Sequence, residues 1–453
     1  MSISGGISDT IAWKPLRKIM GGAIWKDKLS LGEPLERFLQ ILFLFWFLML
    51  LFGWIERVLH LPGGMYPLFL RTWRFYDFTE FQDKFTYFHQ ATFFQIPGFY
   101  FCYPAPVAIV LDGFMQFGYY ALSAYLVFCF LTFIGAGFAL GRAMCHRGMG
   151  IAQVIFFIGS SMLLSYPFWF LVDRANIEMV NWLLVALGVA CYWNKRWYLA
   201  AAFFGVAISF KMFPFVFLGL LLSARKYWAI AWSIVICVLT TCASTWFIGP
   251  TYRIASEGIA KGMEYFRYQY AIQIHKYELG FDHSLFAIVK EMTHRQYAHT
   301  YMMHPKLPDL YYLPWLYGYM AVAAAAGLIL YFWRIRTLPR ANQILALTVA
   351  SIMLPPVSGD YTLIHLYIPW GVLVLISISL KNAHKVRGLV LSFSCMAFLM
   401  APESFAVIYG IRIAGQLKAI VLLILFIVSI TYPFEEPASV ADDVLSPTRA
   451  VAQ

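Results

Sequence analysis

Charge is what this chain has least of. Only 13% of its 453 residues are Asp, Glu, Lys or Arg, against about a quarter in a soluble globular protein. Too few polar side chains are available to solvate a water-facing surface. Cysteine is sparse as well: seven occur, at Cys102, Cys129, Cys145, Cys191, Cys237, Cys242 and Cys395, with no CxxC pair and no zinc-type spacing. They indicate neither a disulfide framework nor a metal site. No Asp-x-Asp motif is present, and no polar stretch is long enough for a soluble nucleotide-binding domain. An internal repeat, the usual mark of a secondary transporter, is also missing.

What is abundant is apolar and aromatic surface. Hydrophobic residues make up 61% of the chain and aromatics 19%, with mean hydropathy +0.68. The expectation is an all-α polytopic integral membrane protein with interfacial aromatic belts and aromatic-lined cavities. The net charge of +11 is dispersed among short loops. It fits contact with anionic lipid headgroups rather than nucleic acid.

The hydrophobic pattern predicts about twelve membrane helices, two of them short. They lie near 36–58, 116–141, 150–170, 177–193, 198–210, 213–223, 227–248, 312–334, 341–355, 361–380, 387–401 and 405–432. The first apolar run begins too late for a cleaved signal peptide, so it reads as a retained signal anchor. Residues 1–35 are then a cytoplasmic segment, 36–433 the membrane domain, and 434–453 a disordered cytoplasmic tail. Basic residues set the orientation. Lys14, Arg17, Lys18, Lys26 and Lys28 precede the first span, and Arg142, Arg147, Lys195, Arg196, Arg225, Lys226, Arg334, Arg336, Arg340, Lys381, Lys385 and Arg387 fill alternate turns. The intervening turns near 171–176, 356–361 and 401–404 carry only Arg174. The positive-inside rule therefore predicts both ends in the cytoplasm. Two long loops, about 59–115 and 249–311, face outward and are aromatic enough to form folded caps.

Several constellations fall on that outward side. Asp77 and Glu80 share one face of a short helix, with Phe78, Phe81 and Phe85 opposite. A carboxylate held there serves as a general base; a solvated amphipathic helix is the plainer reading. Asp173, Arg174 and Asn176 crowd one turn with Glu178. Asn176 reads as a helix N-cap or as part of a polar ligand site. Lys211-Met212-Phe213-Pro214 separates two apolar segments too short to cross about 30 Å of hydrocarbon. A cation beside broken backbone there either snorkels to the headgroups or binds a phosphate. His283 offers a base or donor, although capping by Asp282 or Ser284 also explains that run. Asp360 and His365 interrupt another apolar segment, and Arg412 must snorkel or meet an anion.

The run from Asp173 to Glu178, followed by a span, a basic turn and GVAISFKMFPFVFLGLLLSARKYW, resembles glycosyltransferase family 87. So do Asp77 in an aromatic-rich helix, Tyr103-Pro104-Ala105-Pro106, His283-Ser284-Leu285 and the Pro356–Asp360 turn. The resemblance covers about 36–430. Around Asn176 and at Tyr361 the chain departs from the family pattern, with His365 one helical turn later. The resemblance implies a GT-C fold and transfer of a hexosyl group, mannosyl above all, from a polyprenyl-phosphate sugar to a glycolipid or glycan acceptor. It implies inversion without metal or cofactor. Asp77 is then the base, Lys211 and Arg412 hold the donor phosphate, and Glu80, Asp173, Arg174, Asn176, His283, Asp360, Tyr361 and His365 line the substrate site. A bacterial inner membrane with the site facing outward suits the short cytoplasmic turns. A transporter or lipid flippase with an anion-binding cavity is the competing expectation.

Overall fold

A computed structural model describes residues 31–59, 74–96, 99–268, 281–290, 307–379, 386–402, 407–408 and 411–434. Residues 1–30 and 435–453, expected to be the cytoplasmic ends, lie outside these, as do parts of both expected outer loops. The described chain is helical apart from one antiparallel hairpin of two-residue strands, Val407–Ile408 and Ile411–Arg412.

The helices sort by length and exposure. Among the described residues six are long and apolar enough to cross a membrane, within Glu33–Ile55, Gly118–His146, Tyr227–Phe247, Leu313–Thr337, Asp360–Ser379 and Ala414–Thr431. A bent pair, Ile151–Leu163 and Tyr166–Arg174 meeting at 45°, makes a seventh when counted as one span. Five further apolar helices have 10–17 residues, where two short ones are expected from sequence. The difference has a packing reason. Leu313–Thr337 is only 6% buried and Tyr227–Phe247 only 11%, so these two present their sides outward, whereas Asp360–Ser379 is 67% buried and Ala414–Thr431 50%. Short helices such as Trp197–Phe210 are mostly buried against their neighbours and are shielded by protein rather than spanning alone.

Numbering the helices along the chain gives α1 (Glu33–Val58), α2 (Tyr76–Gln82), α3 (Ala105–Met115), α4 (Ala121–His146), α5 (Ile151–Leu163), α6 (Tyr166–Arg174), α7 (Glu178–Trp193) and α8 (Trp197–Phe210). After a 3₁₀ turn at Phe213–Phe217 come α9 (Leu218–Ser223), α10 (Tyr227–Phe247), α11 (Tyr252–Phe266) and α12 (Leu307–Trp333). Then follow α13 (Arg340–Met353), the 3₁₀ segment Asp360–Leu366, α14 (Tyr367–Ser379), α15 (Val386–Met400) and α16 (Ala414–Thr431). Two expectations shift. The segment assigned to the first outer loop contains α3, whose Val107, Ala108 and Leu111 are buried and which packs on α10; an apolar helix with a buried face belongs to the core. The last span starts at Ala414 rather than near 405, because the hairpin precedes it.

The inner layer is α8 held between α7 and α10, with α1 against α15 and α16 against α13 and α15. Close approach rests on small residues. A Cβ at Gly188 would sit 2.4 Å from the Phe204 ring, and one at Gly205 only 2.5 Å from the Ser233 carbonyl oxygen of α10. The second contact is with backbone, which cannot step aside. Gly205→Leu should therefore force α8 from α10 and destabilise by about 2 kcal/mol, the scale of core overpacking. A detergent-solubilised thermal melt unchanged from wild type would show that this seam tolerates separation.

Candidate functional site

The site begins where α6 stops. Ser165 caps α6 by accepting from the Phe168 N–H (3.3 Å), and the helix ends on Ala175 in the left-handed region at φ 48°. Ala175 N–H bonds the Val172 carbonyl and Asn176 N–H the Leu171 carbonyl, the closure that a left-handed C-cap provides. A second left-handed residue, Phe75 at φ 58°, starts α2, and its N–H donates to the Asp173 carbonyl (2.6 Å). A bulky residue at positive φ carries local strain. The two strained turns face each other and bring Asp77 to the end of α6.

There Asp77 is gripped from two sides. Arg174 Nη2 donates to Oδ1 at 2.5 Å and Asn176 Nδ2 to Oδ2 at 2.7 Å. A carboxylate has about four acceptor positions, so two remain for a substrate. The Asp77 side chain keeps 11% of its surface exposed, while Phe78 and Phe81 point into the core as expected. Asn176 lies one residue before the N-cap position of α7, which is Ile177 without a side-chain cap bond; its Oδ1 accepts from the Glu178 N–H two residues on (3.0 Å), while its amide donates to Asp77. Tyr125 donates its hydroxyl to the Asn176 carbonyl.

One residue on, Glu178 is 2% exposed. Lys211 donates to Oε2, while Oε1 receives His365 Nε2 (2.8 Å) and Asn181 Nδ2 (2.9 Å). Lys211 reaches it because α8 ends there in extended backbone and the 3₁₀ turn with Pro214 follows. Its ammonium also lies 5.2 Å from the centre of the Tyr361 ring, which stacks on Phe170. Lys211, expected from the sequence to snorkel or to bind a phosphate, is thus paired in this structure with a buried carboxylate, which needs a partner of opposite charge.

A second cluster adjoins the first through the same 3₁₀ segment. Asp360 forms an ion pair with Lys418 Nζ (2.8 Å) and accepts from the Tyr166 hydroxyl (2.9 Å), with His283 Nδ1 at 3.4 Å. His283 Nε2 meets Thr362 Oγ1 (3.1 Å) and Ser358 Oγ (3.0 Å). Asp282 and Ser284 act as caps: Asp282 Oδ1 accepts from the Ser284 and Ser358 N–H groups, and Ser284 Oγ from Ala287. His283 is buried beneath these bonds.

The remaining expected residues scatter. Glu80 pairs with Lys84 at 3.8 Å, the solvated-face outcome, and Asp173 is buried with Arg74 3.6 Å away. Tyr265 of α11 stacks on Tyr100 at 4.2 Å. The Arg412 side chain lies outside the described residues. Among the described residues no group of three or more His, Cys, Asp or Glu side chains is placed to hold a metal ion. Two residues escaped the sequence reading, Asn181 and Lys418, and Glu178 was read only as a member of the polar turn. For Lys418 the signal was there, a lysine within an uninterrupted apolar helix.

A family model, Glycosyltransferase family 87, matches residues 101–356. The chain belongs to glycosyltransferase family 87. It is a membrane glycosyltransferase, and its helical membrane architecture agrees with the GT-C superfamily. No curated protein and no solved structure matches it. The matched stretch contains Asn176, Glu178, Lys211 and His283; Asp77 precedes it, and Asp360, His365 and Lys418 follow.

Removing one member of a buried ion pair leaves the other charged and uncompensated, at a cost of about 3 kcal/mol or more. Lys418→Met should therefore unfold at clearly lower temperature, and Asp360→Leu with Lys418→Met together should recover most of the loss. A double variant as unstable as the single one would show that Tyr166 and His283, not the charge pair, hold this cluster.

Proposed function

We propose that this membrane glycosyltransferase moves a hexosyl group, by family resemblance mannosyl, from a polyprenyl-phosphate sugar to a hydroxyl of a glycolipid or glycan on the outer face of the membrane. The observation that carries the reading is the Asp77 carboxylate, clamped by Arg174 and Asn176 and joined through Asn176 to the Glu178–Lys211 pair. An acid and a cation stand together at the end of one helix, beside a break in the next.

In this scheme the acceptor oxygen attacks the anomeric carbon and its proton passes to Asp77. The bond from that carbon to the phosphate oxygen breaks, and its electron pair leaves with the polyprenyl phosphate. One displacement inverts the centre, and no second carboxylate nucleophile is needed. Arg174 and Asn176 fix the direction in which Asp77 presents its free lone pairs. Lys211 has three N–H donors; one holds Glu178, leaving two for the phosphate oxygens as charge develops there. Glu178 positions that ammonium and Arg174 adds a second cation nearby. Arg412 belongs to the same phosphate role only as an expectation from the resemblance. Asp173, His283 and Asp360 act as supports of the site's walls rather than as substrate contacts, given their burial and partners.

Asp77→Asn should lower kcat by at least about a thousandfold, beyond the ~10²–10⁴ range typical of general-base loss only if positioning also fails, while binding of labelled polyprenyl-phosphate mannose stays within about threefold of wild type. Incubation with candidate lipid acceptors reads the product directly. Near-normal turnover in the variant would remove Asp77 from the chemistry, and movement of the lipid across vesicles without a new glycosidic bond would favour a carrier.

A further inference from the structure

The ions at Asp77 and Glu178 are paired, whereas the far end of the same helices is built differently. Helix α7 runs 16 residues from Glu178 to Trp193, about 24 Å. Beyond it the chain reads Lys195-Arg196-Trp197-Tyr198, and beyond α9 it reads Arg225-Lys226-Tyr227-Trp228. In both a basic pair is followed by an aromatic pair. The two turns also close alike. Lys195 and Arg225 lie in the left-handed region at φ 59° and 57°. Their N–H groups donate to the Tyr192 and Leu222 carbonyls (3.0 Å each), and those of Arg196 and Lys226 to the Cys191 and Leu221 carbonyls (2.9 Å each). Glycine or asparagine ordinarily takes the left-handed position, because a longer side chain is strained there. Both turns carry a long cation instead.

The two quartets lie together. Helices α8 and α10 start from them and run side by side, close enough that Gly205 meets the Ser233 carbonyl. The Lys226 ammonium sits 5.4 Å from the centre of the Trp197 ring. Arg340, at the start of α13, covers the Trp193 ring at 4.8 Å and donates to the Trp193 carbonyl (3.3 Å). Arg336 belongs to a 3₁₀ turn that packs against α9. Lys195, Arg196, Arg225, Lys226 and Arg336 are exposed. No acid in these helices offsets them, since the sequence has no Asp or Glu between Glu178 and Glu257 or between Asp309 and Asp360. Aromatic rings crowd the same end: Tyr198, Tyr227, Trp228 and Trp333 are each at least 60% exposed, the display expected at headgroup level. From the second turn an exposed apolar stripe, Trp228, Trp232, Val235 and Leu239, follows one face of α10.

We propose that the paired turns form a seat for an anionic phospholipid, at the end of the bundle opposite Asp77. The headgroup phosphate takes N–H donors from Lys195 and Arg196 on one side and from Arg225 and Lys226 on the other, and an acyl chain lies along the α10 stripe. A net negative headgroup is required, because the quaternary ammonium of a choline lipid is repelled by the same cations. The seat differs from the general attraction of dispersed basic residues for an anionic leaflet: two cations are kept at backbone positions that suit glycine better, and strain of that kind is held where a site needs it. It does not depend on which sugar the protein transfers.

The test uses full-length protein in neutral detergent, titrated with phosphatidylglycerol while the thermal unfolding midpoint is followed, since a bound lipid raises it. Wild type should rise by about 3 °C or more, and by less than about a third of that with phosphatidylcholine. Lys195→Gly with Arg225→Gly should unfold within about 2 °C of wild type in the absence of lipid, because glycine suits both left-handed turns. It should nevertheless need roughly 10- to 30-fold more phosphatidylglycerol for half the rise. If that protein is not recovered folded, Lys195→Asn with Arg225→Asn is read in the same way. Arg142→Gln with Arg387→Gln removes as much charge from other basic turns and should move the half-point less than about threefold. Equal losses in the two double variants would leave only dispersed attraction and overturn the seat. An equal rise with phosphatidylcholine, or with glycerol phosphate, which has no acyl chains, overturns it too. A rise seen only after Glu435→Gln with Glu436→Gln would give the seat to the chain's own acidic tail and overturn the lipid assignment. No sugar donor enters the measurement, so its failure leaves the transfer scheme untouched.

Discussion

A carboxylate sealed inside a lipid-embedded helix bundle is the constraint that organises the rest. Burying an ionised group costs several kcal/mol even after relaxation, and Glu178 is almost wholly buried. Three donors from three places offset that cost: Lys211 at the end of α8, His365 on the 3₁₀ segment, and Asn181 one turn along α7. Meeting the charge this way requires α8 to stop where it does, since a continuing helix would carry Lys211 past the carboxylate. The break with its Pro214 and the short length of α8 are consequences of the same requirement. The small-residue seam against α10 then keeps the shortened helix in place.

The pattern repeats around the site. Asp77 has Arg174, Glu178 has Lys211, Asp360 has Lys418, Asp173 has Arg74 nearby, and Asp282 has Lys290 at 4.0 Å. The pairs differ in what surrounds them. Lys418 and Asp360 are both nearly inaccessible, at 1% and 2%, whereas Arg174 and Asp77 keep 26% and 11%. Packing closes the first pair into a strut tying the 281–290 segment and α6 to α16. The second stays open to a ligand. That gradient, more than the identity of the residues, separates framework from candidate chemistry.

The sequence revealed the members of this site better than their pairing. Lys211 was legible because a cation and a proline between short apolar segments break two rules of membrane helices at once. Asn176 was legible as a polar member of that turn, but its side chain is bonded to Asp77 and to the Glu178 N–H rather than standing at the N-cap of α7. What the pattern could not supply was partnership across the fold. Glu178 stood in a quoted run of polar residues, yet nothing local says that it meets Lys211 and His365. Lys418 was passed over within a strongly apolar stretch, and Arg412, nearer the end of that stretch, was preferred. The segment read as the first outer loop contains α3, and only tertiary packing shows that its Val107 and Ala108 are buried. Span lengths misled as well, because hydropathy registers apolar residues without saying whether lipid or protein surrounds them.

Pairwise neutrality also shapes how an anion enters. In the mechanism proposed above, a phosphate arriving at Lys211 would find an ammonium already sharing charge with Glu178, so it would be accommodated by sharing rather than by simple neutralisation. Sharing is feasible because Lys211 has N–H donors to spare, and because Glu178 keeps His365 and Asn181 on its other oxygen when its hold on the lysine loosens. Under that proposal the resting attraction would be modest, and it would strengthen as negative charge grows on the phosphate while the sugar departs. An arrangement of that kind favours the charge distribution of the transition state over that of the bound donor, which is the condition for accelerating the chemical step rather than merely tightening binding. A bare, unpaired lysine would hold donor and departing phosphate alike; the buried glutamate makes the difference between them matter.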